Sequence, residues 1–123
     1  MKPQSNALVP ETVNLTSKLK ISRILTGLWQ IADIERKSGP IDKEIGANML
    51  QHYVNAGYNT FDMADHYGTS EIIAGNLLKR QEKLAYQPII FTKWCPKPGE
   101  MNPQKVRDGV LLSAERLDTE QID

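Results

Sequence analysis

Apolar residues fall in two kinds of run along this chain, and the alternation between them sets the fold class. Residues 20–30 (KISRILTGLWQ) hold Ile21, Ile24, Leu25, Leu28 and Trp29, with Gly27 near the end, and read as a first buried strand. Residues 31–41 are polar and close on a Gly39-Pro40 turn signal. Asp42 stands at a helix N-cap position. Ile45, Met49, Tyr53 and Val54 then follow at the spacing of one helical face, and Gly57 is placed just past the helix end, where positive φ is needed. Residues 58–62 (YNTFD) are aromatic and β-branched, so they predict a second strand.

The pattern then repeats. Thr69 or Ser70 can cap a helix over 71–83 that carries Ile72, Ile73, Leu77 and Leu78, and residues 89–92 (IIFT) are a continuous apolar strand. Pro96, Pro98 and Gly99 stiffen the next loop, and Asn102-Pro103 is an N-cap followed by proline at the first helical position. Val106, Val110, Leu111, Ala114 and Leu117 mark a third helical face, after which Gln121-Ile122-Asp123 opens another strand. Residues 1–19, with Pro3, Pro10 and scattered polar side chains, read as a polar lead-in to a unit over 20–123. Strands alternating with helices imply parallel βα units. Apolar rather than alternating strands are expected when both sheet faces are covered. A doubly wound sheet and a (β/α)8 barrel both fit. No G-x-G-x-x-G follows the first strand, and no Walker A sequence is present.

Composition narrows the function classes. Fifteen basic residues balance fifteen acidic ones in 123, so there is no global attraction to nucleic acid or to an anionic membrane. Cys95 is the only cysteine, which excludes an internal disulfide and every multi-cysteine zinc pattern. No apolar run has the length of a signal-peptide core or a membrane span. A reduced, cytoplasmic chain is the expectation, and the oligomeric state is left open.

Polar groups gather at the C-terminal ends of the predicted strands, where barrels keep their chemistry. Asp62 ends the second strand, with Asp65, His66 and Tyr67 in the loop after it; Lys93 ends the third, with Trp94 and Cys95 following. Neighbouring strands lie about 4.8 Å apart, so Asp62 and Lys93 can meet as an ion pair with Tyr67 folded over them. A phenol gives up its proton readily near neutrality only if the phenolate is stabilised, and an adjacent ammonium does that. The set would suit general acid catalysis on a developing alkoxide. Each residue has a plainer reading: Asp62 as a loop cap, Tyr67 as a packing residue, Lys93 as a solvated strand end. Asp65 with His66 could suggest a metal site, but the only other histidine, His52, falls on a different element, and a non-ligand role is favoured for both. Trp29 and Trp94 could wall a pocket or simply pack. Cys95 lacks a visible base partner.

At FDMADHYGTSE (61–71) these residues resemble the aldo-keto reductase signature, in which a strand-end Asp is followed five positions later by Tyr and then by a small and an acidic residue: here Asp62, Tyr67, Gly68 and Glu71. IIFTKW resembles the third-strand motif of that family with its lysine, and GLWQ at 27–30 resembles the end of its first strand. The resemblance implies a (β/α)8 TIM barrel and NADPH-dependent reduction of a small-molecule aldehyde or ketone. It makes Tyr67 the proton donor, Lys93 the cation that eases the phenol's ionisation and Asp62 the anchor of Lys93. Gly27, Leu28 and Asp62 would border the cofactor, and Trp29 and Trp94 the substrate. A cofactor-sensing regulatory or binding subunit of the same fold is the alternative it leaves. Met63 departs from the Thr or Ser that usually follows the Asp. A barrel of this kind takes ~250 residues. About three βα units are expected here, an incomplete barrel without the family's strand-four histidine, and so a truncated chain inactive alone.

Overall fold

The computed structural model describes residues 8–31, 39 and 41–123; Pro3, Pro40 and most of the predicted 31–41 loop lie outside them. The chain opens with an antiparallel hairpin, β1 (Thr12–Asn14) against β2 (Lys20–Ser22), in which Val13 faces Ile21. β1 is exposed throughout, so the described part of the polar lead-in contains a strand but no buried one. The single strand predicted over 20–30 is in fact two. Ser22 turns the chain locally, its hydroxyl donating to the Ile24 carbonyl 2.9 Å away. Its N–H donates to Thr60 Oγ1 instead of a sheet carbonyl. Ile24 and Leu25 are left exposed in the bend, and a new strand, β3 (Thr26–Gly27), begins after it.

β3, β4 (Thr60–Asp62) and β5 (Ile89–Phe91) form a parallel sheet in that order. Helix α1 (Lys43–Asn55) connects the first two, α2 (Ser70–Leu78) the second pair, and α3 (Pro103–Leu117) follows β5. The register places Gly27, Asp62 and Phe91 on one row at the C-terminal edge of the sheet. That row fixes where the candidate site can lie. Phe61, Leu28, Leu50, Val54, Met63, Ile73, Leu77, Ile90 and Leu117 make the core between sheet and helices.

Two of the three described helix starts follow the predicted caps; at α2, Thr69 holds the N-cap position without a side-chain capping bond, and Ser70 is the first helical residue. Asp42 accepts hydrogen bonds from the N–H groups of Glu44 and Ile45, and Asn102 accepts from Lys105 with Pro103 at the first turn. Gly57 has φ +96°, and a Cβ there would meet Pro10 Cδ at 2.7 Å, so both conformation and space require glycine. α2 stops at Leu78 rather than running to 83, and a 3-10 turn (Gln81–Lys83) follows. The polar run at 79–83 offers no apolar residue to extend the buried face, and Arg80 turns back to bond Glu44 and Gln51 on α1.

The predicted faces of α1 and α3 are corrected by the structure. α1 buries Gly46, Ala47, Leu50 and Val54, whereas Ile45, Met49 and Tyr53 are exposed. Small residues decide this, because Gly46 lets Ile73 of α2 approach closely. α3 buries Ser113 and Leu117, and leaves Val106, Val110 and Leu111 outside. Residues 121–123 form no strand, but they run beside β5: Asp123 Oδ2 accepts from the Ile90 N–H at 3.3 Å, and Ile122 packs on the core.

Candidate active site

Asp62 and Lys93 leave the ends of adjacent parallel strands on the same side of the sheet. Lys93 Nζ donates to Asp62 Oδ1 at 2.8 Å, with both side chains about half exposed (50% and 45%). The ammonium stands 5.5 Å from the centre of the Tyr67 ring, in cation–π range. The three residues at the centre of the sequence reading are therefore brought together. Trp29 meets the Tyr67 ring edge-on at 4.8 Å and an angle of 87°, and His66 adds a second edge contact to Tyr67 at 4.9 Å. Such aromatic pairs contribute about 0.5–1.5 kcal/mol each beyond their burial, enough to give the loop a preferred shape.

The other predicted positions divide. Gly27 ends β3 beside Asp62 and is exposed, and a Cβ built on it would meet nothing within 4 Å, so the backbone there is open to a flat ligand. The Leu28 side chain is core, and its N–H donates to the Asp62 carbonyl at 2.9 Å. Leu28 can border a ligand only through its main chain. Trp94 does not join the aromatic group. It lies on α3, where a Cβ at Gly109 would fall 2.2 Å from its Nε1, so packing explains it. Cys95 is a free, exposed thiol. His52 is on α1, on a different element from His66. Among the described residues, no three His, Cys, Asp or Glu side chains are placed to hold a metal ion. No helix among them is long and apolar enough to cross a membrane.

Behind the site runs a polar network that the sequence reading did not anticipate. Glu71, only 1% exposed, accepts from Thr92 Oγ1 at 2.6 Å and from Arg116 Nη1 at 3.2 Å. Arg116 Nη1 also donates to the Asp65 carbonyl at 3.0 Å. Asp65 accepts the Cys95 N–H at 3.0 Å on one carboxylate oxygen, while the other lies 3.2 Å from His66 Nδ1. A charged residue inside the apolar stretch SEIIAGNLL was the available signal, since a buried carboxylate requires partners.

Comparison with known proteins points to one family. A model described as the aldo/keto reductase family matches residues 23–123. The NADH-specific methylglyoxal reductase of Escherichia coli is 28% identical over a match covering 88% of this chain and 38% of its own length. The 6-dehydroglucose reductase of Agrobacterium fabrum is 35% identical over 68% of this chain and 27% of its own. A solved Pseudomonas aeruginosa chain assigned to the aldo-keto reductases superposes with a TM-score of 0.73 at 24% identity, covering 98% of this chain and 49% of that one. A Brucella melitensis aldo/keto reductase gives 0.64 at 20% identity, over 93% and 40%. The chain thus spans less than half the length of these relatives, and its three parallel βα units are the N-terminal part of their TIM barrel, incomplete here. With the family match running through both strand ends that carry Asp62 and Lys93, the chain belongs to the aldo/keto reductase family.

Proposed function

We propose that this chain supplies the Asp62–Tyr67–Lys93 part of a site that reduces an aldehyde or ketone, with Tyr67 as proton donor. The observation that carries the reading is the position of the Lys93 ammonium, tied to Asp62 and facing the Tyr67 ring at the C-terminal edge of the sheet. Aldo-keto reductases use nicotinamide cofactors, and the open backbone at Gly27 beside the half-exposed Asp62 carboxylate fits a flat ring with a hydroxylated sugar next to it. When bound, the reduced nicotinamide supplies a hydride to the carbonyl carbon. Tyr67 Oη gives its proton to the carbonyl oxygen as the C–O double bond becomes single, yielding the alcohol. The charge left on Tyr67 is offset by Lys93 until solvent restores the proton. Asp62 holds Lys93 in place, and Trp29, edge-on to the Tyr67 ring, borders the substrate. NADPH is the proposed donor and a small carbonyl compound the proposed substrate, in a cytoplasmic setting.

The same reading holds that the 123 residues alone do not turn over, because three strands cannot enclose a cofactor. The test is NADPH and NADH oxidation with a panel of aldehydes and ketones, using this chain and a longer protein that carries it. Turnover is expected only in the longer protein, higher with NADPH, and lowered ~10²-fold or more by Tyr67→Phe, the scale of general acid catalysis. Full activity in Tyr67→Phe would remove Tyr67 as donor, and turnover by the 123-residue chain would overturn the second expectation.

A further inference from the structure

The polar network behind the site closes on itself. The Lys93 carbonyl accepts the Asp65 N–H at 2.9 Å, and the Asp65 carbonyl accepts from Arg116 at 3.0 Å. Arg116 pairs with Glu71, Glu71 accepts from Thr92, and Thr92 is joined to Lys93 by a peptide bond. The ring thus begins and ends at the residue that faces Tyr67. Asp65 is held at three points, its N–H, its carbonyl and its carboxylate, two positions before Tyr67. The β4–β5 ladder would otherwise end at Asp62 and Phe91, and Asp65 extends it into the loop.

We infer that Arg116 and Glu71 are positioning residues that hold the Tyr67 loop in register with Lys93. The inference rests on Tyr67 and Lys93 being the working pair of the site. The alternative is that Arg116 and Glu71 merely join α2 to α3. Two details argue against it: Arg116 Nη1 divides its bonds between Glu71 and a loop carbonyl, and Glu71 spends its other oxygen on Thr92 beside Lys93. Ordinary helix-to-helix fastening needs neither. Arg80, just past the end of α2, whose side-chain hydrogen bonds run to Glu44 and Gln51 of α1, is an example of such fastening.

The experiment is NMR on the full 123-residue chain, which requires no turnover. It reads ring-to-ring nuclear Overhauser contacts between Trp29 and Tyr67, and the methyl shifts of Ile73, Leu77 and Ile90 as a monitor of the core. Arg116→Met is expected to lose the Trp29–Tyr67 contacts while the core methyl shifts stay native. Thr92→Val is expected to weaken them, and Arg80→Gln to leave them intact. Intact contacts in a folded Arg116→Met chain would overturn the inference. If Arg116→Met does not fold, Thr92→Val decides, and wild-type contacts there would overturn it equally. Loss of the contacts in Arg80→Gln would also overturn it, since any weakening of the helix layer would then suffice. Unchanged turnover in Tyr67→Phe would defeat the functional reading while leaving this geometry untouched.

Discussion

Replacing Gly75 by alanine sets a methyl group against main chain, and Gly46→Ala sets the same group against a side chain. Both glycines are inside helices, and both alanines gain ~0.5–1 kcal/mol of helix propensity. The surroundings then separate them. At Gly75 the new Cβ would lie 2.7 Å from the Arg116 carbonyl oxygen and 3.0 Å from the Leu117 carbonyl group. Those atoms move only if α3 moves, and overpacking of that kind costs about 1–3 kcal/mol. At Gly46 the nearest atoms are Ile73 Cγ2, Cδ1 and Cγ1 at 3.0, 3.1 and 3.3 Å, side-chain atoms that need a few tenths of an ångström of adjustment within Ile73 and no movement of main chain. The propensity gain therefore loses to the clash at Gly75, for a net destabilisation of about 1 kcal/mol or somewhat more, and roughly balances it at Gly46. Urea unfolding followed by circular dichroism measures this, and 1 kcal/mol moves the midpoint by about half a molar at ordinary slopes. A Gly75→Ala chain as stable as Gly46→Ala would refute the close approach of α2 and α3.

Asp42→Ala removes the acceptor for two N–H groups of α1 and is expected to cost about 1 kcal/mol, read in the same titration. In a longer protein that turns over, Lys93→Met is expected to lower kcat by ~10²-fold or more while the protein stays folded, since it removes the charge facing Tyr67. A loss under threefold would take Lys93 out of the chemistry.

Much of the candidate site was legible in the sequence because strand ends are fixed by topology. Once IIFT and YNTFD are neighbouring parallel strands, Asp62 and Lys93 emerge at the same edge of the sheet; Asp62 is level with Phe91, and the long lysine side chain covers the remaining two residues to close the 2.8 Å ion pair. The caps at Asp42 and Asn102 and the positive φ at Gly57 were legible for the same reason: each is a local requirement. Trp94 was not. Its place on α3 depends on Gly109, fifteen positions later, and nothing short-range joins the two. Glu71 and Arg116 were hidden in the same way, by a contact spanning 45 positions.

The misjudged helix faces have a different origin, and it bears on the fold. Periodicity reports every apolar position on a helix, whichever neighbour is to cover it. α2 has a helix on each side, and its Ile73 and Leu77 are fully buried in one cluster with Phe61 of β4 and Ile90 of β5. Among the described residues, α1 and α3 each pack closely on one helix, α2. Their open flanks carry Ile45, Met49 and Tyr53 on one and Val106, Val110 and Leu111 on the other, between 40% and 65% exposed. In a closed barrel every helix is flanked twice. The apolar arcs of the outer two are therefore as wide as a complete ring of helices requires, and wider than three helices can cover. That is the pattern expected of the first βα units of a barrel, and it is independent of the motif that assigns the family.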